Sequence, residues 1–223
     1  MPCSTEVKLR QLMRKAAKLK PHENKAEYDE TLFDLMDWLA HRLPEEPLKI
    51  LDAGCAYGSF ATYMASQGHD VWAIDAMPEL HSKELFDKYS IHFKKVNLET
   101  DEIGWDGFDR IYFTEVIEHL NYNPVPVVKR LYDALKPGGE LICTTPMKEL
   151  QGTYHPNNGR YSQYIHYRDI PLPWNGYYFY DEHHYFYRKS ELAQLFHEVG
   201  FEIGECYPIR KGTTHYLRVR KPL

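Results

Sequence analysis

The chain has 223 residues, 43% of them hydrophobic and 26% charged, with a formal net charge of −5. That size and balance fit one soluble globular domain, expected over residues 1–223, and exclude a fibrous or disordered chain. No apolar run approaches the ~20 residues that span a bilayer, and a net-acidic body argues against broad nucleic-acid binding. The first residues hold no apolar stretch of signal type, so the expected compartment is the cytoplasm, with no membrane partner. Cys3, Cys55, Cys143 and Cys206 are widely spaced. They read as reduced, small core residues and not as a disulfide frame or a zinc site.

In chain order, residues 5–20 and 26–43 read as helices within an N-terminal extension over 1–45. The first carries Lys8, Arg10, Arg14, Lys15, Lys18 and Lys20 against a single acid, Glu6. Such a face is either simply solvated or a contact for a phosphate-bearing partner. In the second, Tyr28, Leu32, Leu35, Met36 and Leu39 recur at helical spacing, and Pro44 and Pro47 end it. Then follow strand 48–52, helix 58–67, strand 70–75, helix 78–89, strand 91–96, strand 109–114, helix 124–135 and strand 139–145. Lys136-Pro137-Gly138-Gly139 is a stop-and-turn signal before the last of these. Strands alternating with helices imply a parallel sheet with helices on both faces.

From Pro146 to Tyr187 the pattern breaks. This stretch holds nine of the 18 tyrosines and four of the 12 histidines. Long loops inside compact domains commonly carry function, so 146–187 reads as an insertion that forms a substrate lid or wall, with plain structural packing as the alternative. Helix 189–199, capped by Gly200, and strands 201–209 and 213–220 close the chain, the two strands pairing antiparallel.

The most informative run is Ile-Leu-Asp-Ala-Gly-Cys-Ala-Tyr-Gly over residues 50–58. A strand that ends in a small-residue turn aims the N–H groups of the next helix above the sheet. The Gly54-to-Gly58 spacing is not that of a dinucleotide fold. A second strand ends at Asp75, 17 residues after Gly58, where a carboxylate can accept from both hydroxyls of a ribose. Together these motifs resemble the class I S-adenosylmethionine (SAM) methyltransferases, whose first motif reads Asp-x-Gly-x-Gly-x-Gly. Asp52, Gly54 and Gly58 match it. Ala56 stands at the middle glycine, a departure that matters only if that position needs a positive φ. The resemblance covers residues 48–220 and implies an α/β, Rossmann-like seven-stranded sheet with its last strand antiparallel.

The resemblance also implies roles. Asp52 serves the SAM ammonium or braces the loop. The run from Ala53 and Gly54 to Gly58 supplies donors for the carboxylate. Asp75 takes the ribose, its alternative being a helix N-cap. Ala76 and Met77 line the adenine, although Met is often plain core filler. Asn97 and Leu98 meet the adenine edge, with a turn role as the alternative for Asn97. Thr114 sits near the methionine end.

Glu115-Val116-Ile117-Glu118-His119 follows. On a helix, Glu115, Glu118 and His119 would share one face. Two carboxylates and an imidazole suit Mg²⁺ or Mn²⁺, with His183 or His184 as a further ligand. This set looks like the metal site of small-RNA 3′-end 2′-O-methyltransferases and resembles the ubiquinone-pathway O-methyltransferases. The Glu-His pair also occurs in metal-free SAM methyltransferases. There Glu118 and His119 brace the site or His119 accepts a proton, and His184 joins them in the candidate catalytic set. A metal site, a metal-free active site and pure structure all remain open for this segment. The expected function is SAM-dependent O-methylation of a small polar molecule, a sugar or a natural-product intermediate. The alternatives are an RNA 3′ end methylated with a divalent metal, or a SAM-binding module without catalysis. Oxygen against nitrogen as the acceptor atom, and the oligomeric state, stay open.

Overall fold

The computed structural model describes residues 8–12, 25–147, 153–154, 163–172 and 183–223. Most of the basic first helix, and four of the nine tyrosines of 146–187, therefore lie outside the described residues. Two compact units, residues 1–96 and 97–223, make up the chain.

In the first unit, helix α1 (Lys25–Ala40) precedes strand β1 (Lys49–Ala53), helix α2 (Ser59–Ser66), strand β2 (Asp70–Asp75), helix α3 (Lys83–Lys88) and strand β3 (His92–Lys95). The three strands are parallel, in the order β3-β2-β1. Ile50 to Ala53 are all buried, as a parallel strand covered on both faces requires. The register places Asp52 opposite Ala73 and Ala53 opposite Ile74, so the carboxyl ends of β1 and β2 finish at one level. Helix α3 is shorter than the expected 78–89. Pro78 and the residues after it form a turn, and Ser82 becomes the N-cap, its hydroxyl accepting from the Leu85 N–H at 3.4 Å.

In the second unit, strand β4 (Phe108–Thr114), a 3₁₀ turn (Ile117–His119), helix α4 (Val125–Ala134) and strand β5 (Leu135–Pro146) come first. The two-residue strands β6 (Thr153–Tyr154) and β7 (Gln163–Tyr164) pair with each other. Helix α5 (Lys189–Val199) and strands β8 (Glu202–Ile209) and β9 (Thr214–Arg220) complete it. The strand order is β4-β5-β9-β8. Here β4 and β5 are parallel and β9 runs antiparallel to β5. The seven main strands are those of the expected mixed sheet with a reversed last strand. In α4 the buried residues Val127, Val128, Leu131 and Ala134 form one apolar stripe. In α5, Glu191 reaches back to the Arg188 N–H at 3.0 Å, and Gly200 ends the helix at φ 115°.

Two expectations need correction. Lys136-Pro137-Gly138-Gly139 does not separate helix from strand. It is an excursion inside β5, between the pairs Phe108–Leu135 and Arg110–Glu140. The C-terminal tail holds it, Gly138 N–H donating to Lys221 O and Lys221 N–H to Gly139 O, both at 2.9 Å. Nor do residues 115–119 form a helical face. Glu115 is left-handed at φ 54°, and only Ile117–His119 close a 3₁₀ turn. The short 3₁₀ turn breaks the i, i+3, i+4 stacking that an α-helix would impose.

Candidate functional site

In the first unit the turn after β1 is tied to the end of β2. The N–H groups of Gly54 and Cys55 both donate to Ile74 O, at 2.9 and 3.1 Å, and Gly58 N–H donates to Cys55 O at 2.7 Å. Asp75 is 8% exposed. Its Oδ2 accepts the Ala56 N–H at 2.7 Å and its Oδ1 the Met77 N–H at 2.8 Å. Asp75 therefore clamps the turn and starts the next loop. It is not a helix N-cap, since α3 begins eight residues later behind Ser82. These bonds also mean that most N–H groups of residues 54–58 serve the fold. The first turn of α2 has no side-chain cap.

Ala56 sits at φ 44°. The condition set by its departure from the family pattern is met: this backbone is the one glycine would favour. An alanine there carries about 1 kcal/mol of strain. Ala56→Gly is expected to raise the melting temperature by about 2 °C, after allowing for the extra freedom of glycine in the unfolded chain. A fall in thermal unfolding temperature would contradict it. Gly58 has no such freedom to change. Besides its φ of 70°, a Cβ there would lie 2.3 Å from Phe86 Cε1.

Asp52 lies beside this clamp at 3% exposure. Burial, then the charge of Asp75, pushes its carboxyl up to about 7, against the Ala61 N–H that favours the ionised form. The folded-state value lies above the unfolded value of 3.8. The folded protein therefore holds this proton more tightly, and stability is lost as pH rises from about 4 to about 7, by an amount of order 4 kcal/mol. Asp52→Asn should remove that loss. Urea unfolding of both proteins at pH 5 and pH 8 should show the variant gaining most at pH 8; an equal difference at both would refute the assignment.

Asn97 is a turn residue in this structure. Its Oδ1 accepts from Glu99 N–H at 3.0 Å, and its own N–H donates to Asp101 Oδ2 at 2.9 Å. Leu98 is buried and its carbonyl accepts from Arg130 at 3.2 Å. Thr114 ends β4 opposite Thr144, half-buried, and Ala76 and Met77 are half-buried beyond β2.

The second unit gathers Glu118, His119 and His183. One ligand atom from each lies within 4.8 Å of the others. Glu118 is fully buried. Thr145 Oγ1 donates to its Oε2 at 3.0 Å, and its backbone carbonyl accepts the His184 N–H at 2.6 Å. His119 Nε2 stands 3.9 Å from Glu118 Oε1, and the His119 and His183 rings meet edge-on at 4.6 Å. Of the two late histidines, His183 joins the cluster. His184 is 1% exposed and contributes its backbone. Glu115 is outside the trio. Burial pushes its carboxyl up, while the Thr144 hydroxyl and the charges of Arg210 and His119 pull it back.

Sequence reasoning missed three supporting residues. Glu99, buried, accepts from Tyr122 N–H at 2.8 Å and Asn121 Nδ2 at 3.3 Å. Thr145 holds Glu118. Asn123 Nδ2 reaches the carbonyls of Tyr167, Arg168 and Ile170 at 3.2–3.4 Å, and so ties residues 167–171 to the loop after the 3₁₀ turn. None follows a local pattern; only the acid in Asn-Leu-Glu-Thr-Asp hinted at a side-chain-rich turn.

A family model described as a methyltransferase domain matches residues 25–205. The chain belongs to that family, and its sheet is the class I SAM-dependent methyltransferase fold. It is 32% identical over 113 residues to the ubiquinone biosynthesis O-methyltransferase of Cereibacter sphaeroides, covering 48% of this chain and 44% of that protein. A relative of the same description from Xanthomonas campestris pv. campestris is 32% identical over 117 residues, covering 49% and 48%. The chain thus spans about half the length of the curated relatives it matches. Among solved structures, the 1,6-didemethyltoxoflavin-N1-methyltransferase of Burkholderia thailandensis, with bound 1,6-didemethyltoxoflavin and S-adenosylhomocysteine, superposes with a TM-score of 0.66 at 18% identity, covering 100% of this chain and 93% of that one. The phosphoethanolamine N-methyltransferase 2 of Haemonchus contortus, in complex with SAM, gives 0.60 at 15% identity, covering 85% and 53%.

Proposed function

We propose that this chain is a SAM-dependent methyltransferase acting on an oxygen of a small polar acceptor, a sugar or a natural-product intermediate. The observation that carries this is Asp75, a buried carboxylate at the carboxyl end of β2 that clamps the turn after β1. Open α/β sheets bind ligands at the carboxyl ends of their strands. Each carboxylate oxygen has two lone pairs, so a carboxylate at this place can accept hydroxyl donors of a ribose. Asp52 offers a carboxylate for the ammonium. The bound forms of the two structural neighbours support the cofactor, and the names of the sequence relatives support oxygen as the acceptor atom.

Bound SAM supplies an activated methyl group. The chain's own residues align the acceptor and take the hydroxyl proton as the oxygen gains the methyl. His119, half-buried and backed by Glu118, takes that proton on an imidazole nitrogen. Glu118, held by Thr145, places its carboxyl beside that imidazole, Oε1 standing 3.9 Å from Nε2. The test is transfer of radiolabelled methyl from SAM to the small-molecule fraction of a cell extract. Labelled small products are expected. SAM binding with no transfer to any fraction would instead favour a binding module without catalysis.

A second reading rests on the convergence of Glu118, His119 and His183. One carboxylate and two imidazoles fit a divalent cation, Mn²⁺ better than Mg²⁺, and such an ion would acidify the acceptor hydroxyl. If the acceptor were an RNA end, its binding would weaken steeply with salt; a small neutral acceptor would show no such slope.

A further inference from the structure

The segment that carries His183 is held at two points. At its start the N–H groups of His184 and Tyr185 both donate to Glu118 O, at 2.6 and 3.3 Å. At its end the carbonyl of Tyr187 meets His215 Nε2 at 3.2 Å. His215 lies on β9 and is 1% exposed. A carbonyl only accepts, so Nε2 carries the hydrogen and donates it. His215 Nδ1 is buried and has no hydrogen-bond partner among the described residues.

The sheet register ties this strap to the cluster from a second side. His215 is the direct antiparallel partner of Thr145 on β5, so the two side chains share one face. Thr145 Oγ1 donates to Glu118 Oε2 at 3.0 Å. One cross-strand pair therefore serves both halves of the cluster: Thr145 holds the carboxylate, and His215 holds the segment that bears His183. Burial pushes the His215 imidazole down from its ordinary value and the charge of Lys189 adds to this, against the Tyr187 carbonyl, which favours the proton. A buried polar ring costs free energy unless it is bonded. An apolar side chain would fill the same place without leaving Nδ1 unpartnered, so packing alone gives no account of a histidine here. The bond to Tyr187 does.

We propose that His215 is a positioning residue for the Glu118–His119–His183 cluster: it fixes the far end of segment 183–187, so that His183 stays edge-on to His119 and Glu118 keeps its backbone partners. It acts through a backbone carbonyl and not on the acceptor. Without its N–H the Tyr187 carbonyl becomes a buried acceptor with its bond unmade, and the segment gains freedom to part from Glu118 O. The cluster's part in turnover rests on the methyltransferase reading above; the strap itself does not.

The test pairs His215→Phe, which keeps a ring and removes the donor, with His215→Gln, whose amide N–H extends to the place of Nε2. Hydrogen exchange of the full chain, resolved by amide, reads the strap directly. In His215→Phe the His184 and Tyr185 amides should exchange about tenfold faster, the worth of one buried hydrogen bond, with the α4 amides changed by less than about threefold. In His215→Gln both sets should stay within about threefold of the wild type. His215→Asn, too short to reach Tyr187 O, serves as the loss variant if the phenylalanine does not fold. Turnover should fall about tenfold in the loss variant with the SAM dissociation constant unchanged, and recover in His215→Gln. Unchanged exchange at 184 and 185 in the loss variant, faster exchange spread evenly over the second unit, full turnover despite faster exchange, or a glutamine as damaging as the loss variant overturns the assignment. No methyl transfer by the wild type would sink the methyltransferase reading, while the exchange measurement would still decide the strap.

Discussion

Asp75→Ala is expected to weaken SAM binding about 100-fold, measured as a dissociation constant by calorimetry. Hydrogen bonds to a charged acceptor contribute about 1.5–3 kcal/mol each, and a loss of about 3 kcal/mol is roughly a factor of 100. The same substitution leaves the N–H groups of Ala56 and Met77 without the carboxylate that holds them. The turn that presents the cofactor loosens as well. Asp75→Asn separates the two contributions: its amide oxygen keeps one acceptor while the charge is gone, so it should fall between the wild type and alanine. A dissociation constant unchanged in both variants would remove Asp75 from the site.

His119→Ala should lower turnover by about 10²–10⁴, the range for a positioned general base, with SAM affinity close to that of the wild type. The residue belongs to the second unit's trio and its ring stands at Glu118 and His183, whereas Asp75 belongs to the first unit. Full activity in the variant would dismiss His119 both as base and as metal ligand. A chelator then separates those two roles. Only the metal-assisted version should lose its rate and regain it on addition of Mn²⁺.

Much of the fold was legible because it rests on local signals. Continuous apolar strands, a glycine that caps α5 and a proline-led start to α4 each act within a few residues. The places of Asp52, Gly54, Gly58 and Asp75 at the ends of β1 and β2 and in the turn between were equally readable, because the apolar strands and the small residues that follow them mark those ends. What sequence could not show was set by tertiary contacts. The left-handed Glu115 unpicks the expected helical face, and nothing in Glu-Val-Ile-Glu-His announces a positive φ. The choice of His183 over His184 depends on which side of an extended segment faces His119. The excursion at 136–139 looks like a terminator in one dimension and is a bulge in a sheet because the C-terminal tail pairs with it. Thr145, Glu99 and Asn123 act on partners 23 to 47 residues away, beyond the reach of any local pattern.

The central claim is that the turn after β1 and the acid ending β2 grip an adenosyl group. A crystal structure with S-adenosylhomocysteine tests it most directly. The ribose hydroxyls should lie within hydrogen-bonding distance of the Asp75 carboxylate, with the amino-acid end over the first turn of α2. Ligand density elsewhere, or the space above Gly54 and Gly58 filled by the protein's own side chains, would contradict it.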